Sequence, residues 1–219
     1  AKTLTKDQRL HKQLDFLIEI DRLKSVLRKT RLFDGSRAEN SAEHSWHITM
    51  MALILAEYAA TEINVGRVIK MMIVHDIAEI DSGDMFYYNA IHSEEYQEKE
   101  RKCAEEIFGL LPDEQAEELH ALWLEFEEKQ TNDAKFAAVL DRLSPNLQNL
   151  LNGGGTWLEF KITLEHAIQK HLHLPAASPV LGEMIIENLE RAGRENMMYV
   201  PDSDSPDTGT PDTKPDAAE

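Results

Sequence analysis

The sequence predicts an all-α fold, and three observations predict it. Apolar residues recur at helical spacing through most of residues 1–200. No segment alternates apolar and polar residues for long enough to build a sheet. Residues 68–80 form a nearly continuous apolar run that reads as one buried helix, with His75 and Asp76 side by side in its middle. An ionised carboxylate in such a helix is costly unless it is paired, hydrogen-bonded or bound to a cation. The run therefore asks for a buried polar partner, and a divalent ion is the economical answer.

The elements follow in order. Residues 7–32 read as one amphipathic helix with Leu10, Leu14, Phe16, Leu17, Ile20, Leu23, Val26 and Leu27 as its core side. Its basic end, Lys24, Arg28, Lys29 and Arg31, reads as cations complementing a helix C-terminus. The loop FDGSRAENSAEH then leads to Asn40, an N-cap with Glu43 at the third helical position. The helix it starts, residues 41–60, carries His44 in its first turn; His47 reads as an ordinary packed or solvated histidine. The central helix places Glu79 on the side of His75 and Asp76, because residues three and four apart share a face. Asp81, Ser82, Gly83 and Asp84 stop it.

Beyond lies an aromatic loop, MFYYNAIHSEEY, that either borders a pocket or packs a long connection. Residues 94–108 and 113–128 read as acidic amphipathic helices with solvated Glu-rich faces, separated by Leu111-Pro112 and capped by Asp113. Residues 133–151 give another apolar helix, which Pro145 should kink or restart. It holds Asp141 beside the small residues Ala137 and Ala138, where another helix can approach. Gly153, Gly154 and Gly155 read as a helix-ending turn, since the spacing of a phosphate-binding loop is missing. His171 and His173 read as structural or solvated, and residues 180–194 as the last helix. Residues 201–219 are rich in Pro, Asp, Ser and Thr and read as a disordered tail on a single domain of residues 1–200.

Composition narrows the function. The net charge of -17 argues against a nucleic acid polymer or an anionic membrane surface as partner. The lone Cys103 excludes an internal disulfide framework and any multi-cysteine metal site. The charged opening, LTKDQRLHKQLDF, does not read as a leader peptide, so a cytoplasmic location is expected.

His44, His75, Asp76 and Asp141 together offer two imidazoles and two carboxylates from three helices. Such a set suits one divalent ion, Mn, Co, Fe, Ni, Zn or Mg, with positions left for water. Arg37, in the loop entering the His44 helix, is a candidate for binding phosphate in an otherwise acidic chain; an ion pair with Glu39 is the plainer alternative.

The stretches RAENSAEHS and HDIAEIDSGD, with Asp141 in FAAVLDRL, resemble the HD-domain superfamily of metal-dependent phosphohydrolases, in its 5′-deoxynucleotidase-like branch. The resemblance spans roughly residues 10–190. It implies a helical bundle with a buried ion on His44, His75, Asp76 and Asp141. It also implies a phosphate contact at Arg37, catalytic work on water by Glu79 and Asp84, and pairing into a homodimer. Lys29 and Thr30 stand where the deoxynucleotidase pattern has an Arg-Trp pair, and MFYYNA replaces its Pro- and Lys-containing stretch. The expected activity is hydrolysis of a small phosphorylated substrate, a nucleoside 5′-monophosphate or similar metabolite. The rivals are a phosphodiesterase or pyrophosphohydrolase acting on a signalling nucleotide, an oxygenase with two irons drawing on His47, His92 or His120, and a non-catalytic metal-containing binding protein.

Overall fold

The structure, a computed structural model, describes residues 5–88 and 94–201. The expected tail and His92 lie outside the described residues. Ten helices and one small hairpin are laid out within them: α1 (Gln8–Glu19), β1 (Leu27–Arg31), β2 (Ala38–Asn40), α2 (Ser41–Leu55), α3 (Val65–Val74), α4 (Glu79–Ser82), α5 (Glu94–Phe108), α6 (Asp113–Glu128), α7 (Asn132–Leu151), α8 (Gly155–Glu159), α9 (Leu164–His171) and α10 (Pro179–Arg194). The all-α class stands.

The core centres on α7, which packs against α2, α3, α6 and α10. Ile48 and Ala52 of α2, Val68, Met71 and Met72 of α3, and Phe136, Val139 and Leu140 of α7 are wholly sealed from water. Ala137 and Ala138 are buried as well, and side chains of that size let neighbouring helices approach α7. α7 runs through Pro145 as one element, so no restart occurs there. The ring nonetheless removes the N–H that would have bonded the Asp141 carbonyl.

The first helix is shorter than the periodicity predicts. α1 ends at Glu19, a 3₁₀ turn covers Ile20–Ser25, and the chain then extends into β1. Phe16 and Leu23 are buried, whereas Leu10, Leu17 and Leu27 are exposed. The reason lies in the hairpin. β1 pairs antiparallel with β2, Leu27 opposite Asn40 and Arg31 opposite Ala38. In a strand alternate residues face one side, so Arg28 and Thr30 turn inward while Leu27, Lys29 and Arg31 face water.

The central helix also breaks earlier than expected. α3 ends at Val74, and His75 caps it. The next residues climb in tight turns, with the N–H groups of Ile77, Glu79 and Ile80 donating to the carbonyls of Val74, Asp76 and Ile77. Three-residue turns eclipse positions i and i+3, so Glu79 comes to stand over Asp76. Pro112, rather than Asp113, occupies the N-cap of α6. Gly153, Gly154 and Gly155 all have positive φ, as a helix-ending turn requires.

Candidate metal centre

His44, His75 and Asp141 come together from α2, the end of α3 and α7. One side-chain atom from each lies within 4.8 Å of the others. His44 Nε2 is 3.0 Å from Asp141 Oδ1, and His75 Nε2 is 3.9 Å from the same oxygen. The fourth expected ligand, Asp76, sits beside them, its Oδ1 2.9 Å from His75 Nε2. All four are buried.

Local structure fixes each position. The α2 N-terminus carries the predicted capping box: Asn40 Oδ1 accepts from the Glu43 N–H at 2.9 Å, and Glu43 Oε2 accepts from the Asn40 N–H at 3.3 Å. That box anchors the turn holding His44. Glu39, on β2, is buried with Oε2 3.4 Å from His44 Nδ1. Burial would push the Glu39 carboxyl up, yet hydrogen bonding to His44 and Gln148 holds it below its ordinary value. Burial and the Arg28 charge oppose protonation of His44, but hydrogen bonds to Asp141 and Glu39 keep the imidazole above its usual value.

The tautomers point to a cation. His75 Nδ1 donates to the Met72 carbonyl at 2.9 Å. Its Nε2 therefore presents a lone pair, and that nitrogen has no hydrogen-bond partner. It faces carboxylate oxygens of Asp76 and Asp141, so acceptors converge on acceptors. Glu39 Oε2 faces His44 Nδ1 at 3.4 Å, and His44 Nε2 meets Asp141 Oδ1 at 3.0 Å. A buried nitrogen lone pair facing carboxylate oxygens is repulsive without a positive ion, and the other nitrogen of His75 is held by the Met72 carbonyl, as in metal-binding histidines. Two imidazoles and two carboxylates fit a divalent ion.

A cavity opens beside this cluster. His75, Asp76, Glu79, Asp84 and Asp141 line it, with Arg28 and Arg142. Glu79 Oε2 accepts from Ser41 Oγ at 2.7 Å. Burial first, then the Asp76 charge, pushes the Glu79 carboxyl well above its ordinary range. Burial also raises Asp84. Asp76 and Asp141 go the other way despite burial: His75 and Arg28 hold the first down, and Arg142 and His44 hold the second well down.

Arg37 is elsewhere. Its guanidinium forks onto Glu43, at 2.8 and 2.7 Å, on an exposed surface. It is not in the cavity wall, and its partner is Glu43 rather than Glu39. Arg28, read from sequence as a helix-end charge, is among the cations that do line the cavity. Its Nη1 lies 3.2 Å from Asp76 Oδ2 and 3.6 Å from Asp84 Oδ1, and its Nε lies 3.6 Å from Glu39 Oε2. Of the two readings of the aromatic loop, the pocket border holds for Phe86, Tyr87 and Tyr88, which line the cavity together with Met85. His171, read as structural, is buried and lines the same cavity, and Glu100 of an otherwise solvated face joins it. His47 packs edge-on against Phe33 and His120 stacks on Trp123; neither belongs to the cluster.

Comparison with known proteins identifies the family of the fold that carries this arrangement. The HD domain family model matches residues 20–179. Human 5′-deoxynucleotidase HDDC2 is 31% identical over 136 residues, covering 62% of this chain and 65% of the relative. The 5′-deoxynucleotidase of Erwinia tasmaniensis is 29% identical over 163 residues, 70% of this chain and 82% of the relative. The match thus spans 65% of the length of the human relative. Among solved structures, a predicted metal-dependent phosphohydrolase from Magnetospirillum magnetotacticum MS-1 superposes with a TM-score of 0.82 at 45% identity, covering 88% of this chain and 99% of that one. An HD-domain phosphohydrolase from Listeria innocua shares the fold, with a TM-score of 0.54 at 17% identity. The family match covers both histidines, both aspartates and the helices that present them, and the chain belongs to the HD domain family.

Proposed function

We propose that the protein is a metal-dependent phosphohydrolase that cleaves small phosphate monoesters, nucleoside 5′-monophosphates or similar metabolites. The observation that carries this reading is the buried cluster of His44, His75, Asp76 and Asp141 opening onto a cavity walled by Arg28, Glu79 and Asp84. The names of the relatives and of the Magnetospirillum structure support it.

His44, His75, Asp76 and Asp141 would hold one divalent ion. When bound, such an ion polarises a phosphoryl oxygen and lowers the pKa of a water. The chain's own groups do the rest. Arg28 supplies positive charge to the phosphoryl group at the wall, the task the sequence suggested for Arg37. Glu79, whose carboxylate is made more basic by burial and by Asp76, takes a proton from the attacking water or orients it. Asp84, also raised, gives a proton to the leaving oxygen. Phe86, Tyr87 and Tyr88 narrow the cavity and limit the size of the ester group.

The partner we infer is a small phosphorylated substrate, with a second copy of the chain as the assembly partner. Trp46, Leu53 and Ile54 of α2 and Ile73 of α3 are large, apolar and exposed, which supports pairing. Among the described residues no helix is long and apolar enough to cross a membrane.

The test is a phosphate-release screen of the metal-loaded protein against nucleoside monophosphates, sugar phosphates and dinucleotides. Release from monophosphates and not from dinucleotides is expected. Turnover confined to dinucleotides would favour the phosphodiesterase, and no release from any ester, with one ion bound, would leave a binding protein.

A further inference from the structure

The two carboxylates at the centre are wired alike. Each turns one oxygen toward an imidazole and the other toward an arginine. Asp76 Oδ2 lies 3.2 Å from Arg28 Nη1, and Asp141 Oδ2 lies 3.0 Å from Arg142 Nη2. The two arginines differ in what else surrounds them. Arg28 also has Glu39 and Asp84 at 3.6 Å, so its charge is spoken for several times over. Arg142 is ion-paired with Asp141 alone among the described residues.

Arg142 is also held in place. Its guanidinium carbon lies 3.7 Å from the centroid of the Tyr87 ring. Tyr87 in turn donates its hydroxyl hydrogen to the Lys170 carbonyl oxygen at 2.8 Å. A guanidinium held over a ring keeps its donors in a fixed fork, which matches the oxygens of a phosphoryl group and loses little freedom on binding. The side chain is 20% exposed and lines the cavity. Lys170 Nζ is 5.2 Å from the same ring, adding positive charge. Thr30 is a second uncommitted donor: it lines the cavity, is 7% exposed, and its Oγ1 has no hydrogen-bond partner.

We propose that Arg142, propped on Tyr87, is a substrate-binding residue that grips the phosphoryl group from the Asp141 side, while Arg28 meets it from the Asp76 side. An anion next to Arg28 also meets three carboxylates; an anion next to Arg142 meets one. The phosphate charge is therefore offset better at Arg142, through charge-assisted hydrogen bonds from its remaining N–H groups. Tyr87 is a positioning residue, acting through Arg142. The proposal rests on the phosphohydrolase reading and names the second cation of that site.

The test reads binding without turnover. Inorganic phosphate is titrated into metal-loaded wild type, Arg142→Met, Arg142→Lys, Tyr87→Ala and Tyr87→Phe, with metal content measured in each. Arg142→Met should weaken phosphate binding by about 10- to 100-fold, the range for charge-assisted hydrogen bonds. Arg142→Lys should fall between, Tyr87→Ala should weaken binding several-fold, and Tyr87→Phe, which keeps the ring, should restore it. Metal content should not change. Unaltered phosphate affinity in Arg142→Met overturns the proposal. So does a loss of metal whose replacement restores phosphate binding, because Arg142 would then only orient Asp141. Where Arg142→Met does not fold, unaltered affinity in Arg142→Lys and Tyr87→Ala together has the same force. A protein that hydrolyses no ester yet binds phosphate through Arg142 sinks the reaction and keeps the anchor; normal turnover with unaltered affinity sinks only the anchor.

Discussion

The cavity has two unlike walls. One, from the hairpin, the end of α3 and the start of α5, is acidic: Asp76, Glu79, Asp84 and Glu100 crowd around a single buried arginine. The other, from α7 and α9 with Tyr87 and Tyr88, is aromatic and neutral to basic: Arg142 lies on Tyr87, and His171 touches both tyrosines. The difference teaches a division of work. Carboxylates beside an ion can hold it and move protons, but they repel a phosphate. The anion needs a wall where cations outnumber carboxylates.

Asp76 and Asp141, one on each wall, are both proposed ligands of the ion, so their loss should have the largest effect. Asp76→Ala and Asp141→Ala should each purify without the roughly one ion per chain that wild type carries, and without activity. Full metal content in either variant removes it from the ligand set.

Next comes Glu79, on the acidic wall alone. Glu79→Gln should keep metal, helicity and substrate affinity while kcat drops about 10²- to 10⁴-fold, the usual worth of a positioned proton acceptor. Near wild-type turnover would end its catalytic assignment.

The walls should also respond to pH with opposite signs. Burial pushes His171 down to about 4. The folded protein then prefers the neutral ring, so this contribution is whole above the unfolded pKa of about 6.5 and is lost as pH falls toward 4, on the order of 3 kcal/mol in all. Glu100 is pushed up to about 7, by burial first and then by the Glu127 charge. Its contribution is whole below about 4.5 and is lost as pH rises through 7, on the order of 2 kcal/mol after allowing for partial solvent contact. Urea unfolding at fixed metal across pH 4 to 8 should show His171→Gln flattening the acid limb and Glu100→Gln the neutral one. Matching slopes in wild type and variants would remove the contrast.

The smallest effect belongs to the arginine on neither wall. Arg37→Ala should leave stability nearly unchanged, because its pair with Glu43 is solvent-exposed, and should leave phosphate inhibition unchanged. A clear rise in the phosphate inhibition constant would bring Arg37 back into the site.

Signals that act locally were legible in the sequence. Asn40 and Glu43 announced the α2 start, and the Leu111-Pro112 break separated α5 from α6 at the observed bounds. The buried His-Asp pair revealed the centre, because the cost of burying charge is visible in any apolar run. The hairpin was not legible. Its inward residues are Arg28 and Thr30 and its outward ones include Leu27, the reverse of the usual strand pattern. A polar cavity, not the core, lies beneath it, and that inversion hid Arg28. Arg142 and His171 were hidden differently: their roles depend on Tyr87, far away in sequence, and no local spacing encodes that contact.

The centre draws its ligands from distant points of the chain; His44 and Asp141 are 97 residues apart. Closing so long a loop is entropically slow, and such contacts form late in folding. The ion should therefore be a latecomer, captured by helices already docked rather than nucleating them. A stopped-flow refolding experiment would place metal uptake after the rise of helical signal; uptake that precedes it would make the ion an organiser of the fold.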